Sequence, residues 1–444
     1  MLAEEKIMKM KKKVIGIAIV ISFLILVVIA TATDTFGEET YGFVGKWGSP
    51  GSGDSQFSGH MFIAIDGQDN VYVTDASNNR VQKFSNDGIF QKAWGNPGSG
   101  QGQFQGPMGI ACDSAGNVYV VDTGNHRIEK FNPDGTKVLA TWGSAGLGNG
   151  QFMDLRGIAI DTADNIYVVD SETGLVQKFT PTGVFITKWG GKGDGPGKFG
   201  IPHGIATDGT NNVYVTDYND NTIQKFTSTG KFLISWGSKG TGNSQFMSAL
   251  GISIADDGNI FVVDHGGYTM DLNPIPGTFR VQKFSSDTAY MTQWGSFGSG
   301  DMQFGSPDGI ALNRSQTVFV TDYVNGRIQK FALVRPSLTV ITTPPGAEIF
   351  LNNVDTGQVT PSTIPDMSPG IYTLKLTRSG YEDIPTYSVI LKSGRTTTVD
   401  LQLSPVVPTV TPTPTTKTPV SVEIIFGSLA ISVICSHALR RNIP

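Results

Sequence analysis

The chain of 444 residues holds six tryptophans, and a glycine follows every one of them. The pairs begin at positions 47, 94, 142, 189, 236 and 294, so successive pairs lie 47, 48, 47, 47 and 58 residues apart. A fixed period of this length marks a chain built from one supersecondary unit used repeatedly. Ten residues after each tryptophan stands a phenylalanine (Phe57, Phe104, Phe152, Phe199, Phe246, Phe304), and 28 residues after it an aspartate (Asp75, Asp122, Asp170, Asp217, Asp264, Asp322). Between them lie a small-residue segment of the GIAID or GIATD type and a strand-like segment such as VYVTD, IYVVD or IFVVD. A third strand ends at Phe84, Phe131, Phe179, Phe226, Phe284 or Phe331, and a fourth runs into the next tryptophan-glycine pair.

Four short strands rich in β-branched and aromatic residues cannot bury both faces of one small sheet. Six such sheets stacked radially cover one another. The first tryptophan-glycine pair precedes the first full copy, whereas the last copy stops at Phe331 without one. The count closes if the Phe43–Gly48 strand becomes the outer strand of the sixth sheet, which removes a free edge. The expected fold class is therefore all-β, with residues 41–331 forming a six-bladed β-propeller closed by its N-terminal strand. The 55 glycines agree with many tight turns. Only two cysteines, Cys112 and Cys435, exclude a disulfide scaffold.

The motif GIAxD, then NVYVxD, then xxNxRIQKF, then DGxFxxxWG resembles the NHL repeat in all six copies. That resemblance implies a propeller whose chain closes its ring by strand exchange. Residues 337–404 break the period, and their alternating strands and turns suggest a small β-sandwich. Pro345-Gly346-Ala347, Thr360-Pro361, Pro369-Gly370 and Gly380-Tyr381 there resemble the PEGA domain, which implies a prokaryotic surface protein.

The repeated residues read as structural. One active site needs one constellation, whereas six equal aspartates need a cause present in every blade, namely turn amides to accept. The glycine-rich stretches after each tryptophan lack the lysine and strand-to-helix setting of a phosphate loop and read as blade crossovers. The turns at Asp66–Asn70 and Asp161–Asn165 lack the ligand spacing of a calcium loop.

Function is expected where the repeat breaks. The fifth copy carries eleven extra residues between Asp264 and Arg280, with His265, Tyr268, Met270 and Asp271. This loop is expected over one mouth of the ring, beside His126, Glu172, Tyr218, Asn219 and Tyr323 from the equivalent loops, as a face for an extracellular protein, glycan or small ligand. The position 14 after each tryptophan holds Met61, Met108, Arg156, His203, Leu250 and Asp308. The NHL resemblance also brings in the peptidylglycine amidating lyase, whose histidines near this position bind a catalytic zinc. Here His203 fits that place and His60 is one residue out of register, so His60, His203 and Asp308 are the candidate metal ligands. No cofactor is expected beyond a zinc or calcium ion at that mouth. Two readings of function follow: a surface interaction or scaffold protein, and an exported metal-dependent lyase or hydrolase with its site at the channel mouth. Residues 41–331 carry 20 basic against 26 acidic side chains, which disfavours nucleic acid.

Both ends point to a membrane. Lys9 and Lys11–Lys13 precede an apolar run from Val14 to Ala32 ending in Ala-Thr-Ala, the pattern of an export signal, cleaved or kept as an anchor over residues 1–32. Residues 405–419 alternate proline and threonine as an extended stalk. The mostly apolar segment 420–439, followed by Arg440-Arg441, would attach to a membrane from within. The order suggests a membrane-anchored cell-surface protein, archaeal in the style of its tail.

Overall fold

The computed structural model describes residues 39–407. The expected export signal, most of the stalk, the C-terminal membrane segment and Cys435 lie outside the described residues. Among the described residues no helix is long and apolar enough to cross a membrane.

Six four-stranded antiparallel sheets form the propeller. In blade two the strands are Pro107–Cys112, Val118–Asp122, Arg127–Phe131 and Val138–Trp142, from the axis outwards, and the other blades follow the same order. The second strand of every blade is buried on both faces, as its unbroken β-branched and aromatic sequence requires. Blade six takes its outer strand from the chain start: Tyr41–Trp47 pairs antiparallel with Arg327–Leu333. Tyr41 then stacks on Trp294 of blade five, with centroids 4.4 Å apart. The ring is thus closed by the strand that the tryptophan count left over.

Each repeated aspartate is the hub of its blade. Asp75 accepts from the Ser58 amide, Asn78 Nδ2 and Arg80 Nε; Asp217, in a copy without arginine, accepts four amides instead, from Gly200, Ile201, Asn219 and Asp220. Asp66, Asp113, Asp161 and Asp208, on the opposite face, each accept the hydroxyl of a buried tyrosine and the amides of their own turn.

Neighbouring inner strands approach so closely that only glycine fits. A Cβ on Gly204 would stand 2.2 Å from the Leu250 carbonyl oxygen, and one on Gly157 2.4 Å from that of His203. Blade one alone carries phenylalanine, Phe62, at this place, and its inner strand shrinks to Ile63–Ile65. The six inner strands enclose a channel of about 260 Å³, walled largely by the repeated Gly-Ile-Ala segments, with Cys112 on its wall.

Residues 337–402 form two further sheets, one of three strands and one of four. Leu338, Val340, Ile349, Leu374, Leu376 and Leu391 fill the space between them. Bonds from Thr40 to Ser393 and from Gly394 to Val334 tie this domain to the ring-closing edge of the propeller.

Candidate functional site

The residues that break the repeat gather at one mouth of the channel, on the side of the crossovers. Asp308 opens the inner strand of blade six, behind Pro307, and its side chain is fully buried. It accepts Nδ1–H of His60, from the loop entering blade one, at 3.0 Å, and the Met61 amide at 3.3 Å. Its other oxygen lies 3.0 Å from Nδ1 of His265, the first residue of the blade-five insertion. The same Nδ1 is 3.0 Å from the Pro307 carbonyl oxygen, so both neighbours are acceptors and this nitrogen carries a proton. Nε2 of His265 is held by Ser306 Oγ at 2.9 Å. One carboxylate therefore draws together blades one, five and six.

Burial pushes the Asp308 carboxyl up, but the hydrogen bonds and charges of His265 and His60 outweigh it and bring it down to about 2. Burial pulls His265 down, yet its hydrogen bond to Asp308 and the charge there raise it above the ordinary histidine value. His60 has its Nδ1 occupied by Asp308, which leaves Nε2 available on a side chain 43% exposed. The ring of Tyr323 stacks on it at 4.9 Å.

His203 takes a different place. It begins the inner strand of blade four, opposite blade one in a ring of six, and its ring stacks on Phe62 at 5.6 Å and 19°. The two rings face each other across the axis because Phe62 stands where the other blades have glycine. His203 is 9% exposed, its Nδ1 has no partner, and burial together with the Arg156 charge brings it down to about 3, so it is neutral. Arg156, at the same position in blade three, is paired with Asp154 at 3.0 Å.

Of the candidate metal ligands, His60 and Asp308 meet directly, while His203 packs on Phe62 instead. Among the described residues no group of three or more His, Cys, Asp or Glu side chains is placed to hold a metal ion. Asp308 is engaged by two imidazoles, so the set does not fit a zinc centre with three protein ligands, and no chemistry is routed here through a metal.

The insertion is a small hairpin with a turn at Thr269–Leu272 and a bridge between Tyr268 and Pro274. Phe279 anchors it, fully buried, with its ring 5.0 Å from Phe297 in the next crossover and 5.3 Å from Tyr268. Tyr268, Met270, Asp271 and Leu272 are exposed, as are Tyr218, Asn219 and Glu172 on neighbouring loops. His126 is half-buried in a left-handed turn. His265 and Tyr323, expected on this outer face, reach inward to the channel residues, so the two groups form one site. Sequence reasoning missed Ser306 and Phe62. The second was visible as the one copy without glycine in the inner strand.

The fold defines a six-bladed propeller with one elaborated mouth. The NHL-repeat profile matches residues 62–84, 104–131, 199–226 and 304–331, and the PEGA-domain profile residues 335–406. The chain carries four profile-matched NHL repeats within its propeller and a C-terminal PEGA domain. Among solved structures, a protein of unknown function from Bacteroides thetaiotaomicron VPI-5482 is similar over 66% of this chain and 76% of its own, with a TM-score of 0.52 and 19% identity. Virginiamycin B lyase from Staphylococcus aureus matches with a TM-score of 0.43 and 15% identity over 61% of this chain and 80% of its own. A gluconolactonase from Xanthomonas campestris gives 0.45 and 13% over 62% and 87%. At such identities the likeness is one of fold alone. No curated protein sequence matches the chain.

Proposed function

We propose that this is a membrane-held, cell-surface binding protein whose propeller takes an extracellular protein, glycan or small ligand at the mouth bearing the 265–279 insertion. The observation that carries the reading is the buried Asp308 holding His60 and His265 together beneath a rim of exposed aromatic side chains. A buried charged cluster is a costly way to stabilise a fold, and its position in a concave mouth marks a functional site. The PEGA domain, typical of extracytoplasmic proteins, supports display outside the cell.

Two measurements test this. Protease added to intact cells is expected to remove the propeller, and full protection with cytosolic fractionation overturns the location. Replacing residues 268–274 by Asn-Gly, which keeps His265 and the buried Phe279, is expected to leave the fold intact and abolish retention of envelope components on the immobilised full chain; unchanged retention overturns the choice of face.

A second reading is favoured by one contact. An imidazole whose Nδ1–H is held by a buried carboxylate, with Nε2 open, has the arrangement of a general base. An exported hydrolase or lyase would use His60 in that way, with no nucleophile from Ser306, which is 4% exposed and committed to His265. Turnover lost in His60→Gln while the fold persists would establish it.

A further inference from the structure

The groups at the mouth select among ligand classes. The charges on its floor are matched: Asp308 faces His265, and Arg156 is spanned by Asp154 through Nε and Nη2, both at 3.0 Å. The exposed rim adds two acidic side chains, Glu172 and Asp271. A carboxylate ligand would find the floor's cations taken and meet like charge on the rim. His60 presents Nε2 from a side chain 43% exposed. The walls are flat and apolar: Tyr323 lies on His60, Tyr268 packs edge-on to Phe279 and Phe297, and Phe62 lies beneath His203. Tyr268 and Phe297 are 47% and 44% exposed.

We infer that this mouth binds a neutral carbohydrate, with one sugar ring against the Tyr268 and Tyr323 walls and a hydroxyl group on His60 Nε2. A sugar ring has a C–H face that packs on aromatic rings and a hydroxyl rim that both donates and accepts. An apolar ligand would leave the His60 Nε2 unpaired, which costs binding. The inference rests on the reading that this mouth is the ligand face.

The test titrates the full chain with cellotriose, maltotriose, mannotriose and chitotriose, and with trigalacturonate as the acidic counterpart, followed by saturation-transfer NMR and calorimetry. At least one neutral trisaccharide is expected to bind. His60→Gln is expected to weaken it tenfold or more, about 1.4 kcal/mol. Tyr268→Ala, on an exposed ring outside the core, is expected to weaken it at least threefold. Arg314→Ala, at the opposite mouth, is expected to change nothing. Binding of the acidic sugar alone, no binding of any neutral sugar, or binding that survives both mouth variants overturns the inference. Insertion-dependent retention of envelope protein without sugar binding would leave the ligand face standing and remove only the carbohydrate.

Discussion

At the scale of single residues, the mouth is governed by three titrating groups of opposite sense. Asp308 has a folded pKa of about 2 against about 3.9 unfolded. It stabilises the fold by about 2 kcal/mol above pH ~4, and loses this as pH falls towards 2. His265 is raised, so its contribution is complete below its unfolded value of about 6.5 and is lost as pH rises through the folded one. His203 runs the other way: held neutral with a folded pKa of about 3, it is accommodated above pH ~6.5 and costs stability as pH falls from there. Unfolding midpoints of wild type and Asp308→Asn, compared from pH 2.5 to 8.5, are expected to differ most between about pH 4 and 6.5. Parallel profiles would show that the cluster is uncoupled. His203→Gln is expected to flatten the acid limb, read from the same scans.

At the scale of elements, inner-strand packing decides which substitutions are tolerated. Gly204→Ala places a methyl group 2.2 Å from a neighbouring blade's carbonyl oxygen, whereas Gly209→Ala meets nothing within 4 Å. The first is expected to cost roughly 2 kcal/mol or more, the second under about 0.5 kcal/mol, measured by denaturant unfolding. Phe62 shows the reverse case. Its ring belongs to the core between blades one and two and lies across from His203. Phe62→Ala is expected to cost about 3 kcal/mol and to uncover His203, seen as faster modification of that imidazole by diethylpyrocarbonate. The insertion, by contrast, hangs on Phe279 and His265, and its outer half carries no core contact.

At the scale of the whole molecule, stability depends on closure. Removing residues before Gly48 deletes the Tyr41–Trp47 strand, exposes the Arg327–Leu333 edge and uncovers Trp294. Calorimetry of that truncation is expected to show a lower and broader transition, with self-association through the open edge. The PEGA domain begins at the same edge, through Val334 and Ser393, so the truncation also removes its contact at Thr40.

The period, the blade count, the ring closure and the structural duty of the repeated aspartates were legible in the residues, because each recurs at fixed spacing and a recurring residue answers a need common to every blade. Phe62 could also be read, as a single substitution against five glycines. The site itself could not. His60 and Asp308 are 248 positions apart and meet because closure sets blade six beside blade one. His265 looked like part of an outer loop, yet the path of the insertion turns its ring back under the hairpin onto Asp308. His203 looked like its metal-binding companion and is instead held against Phe62 across the axis. Spacing along a chain records what every repeat shares. Which odd residues come within 3 Å of one another depends on the curvature of the ring, and that exists only once all six blades are packed.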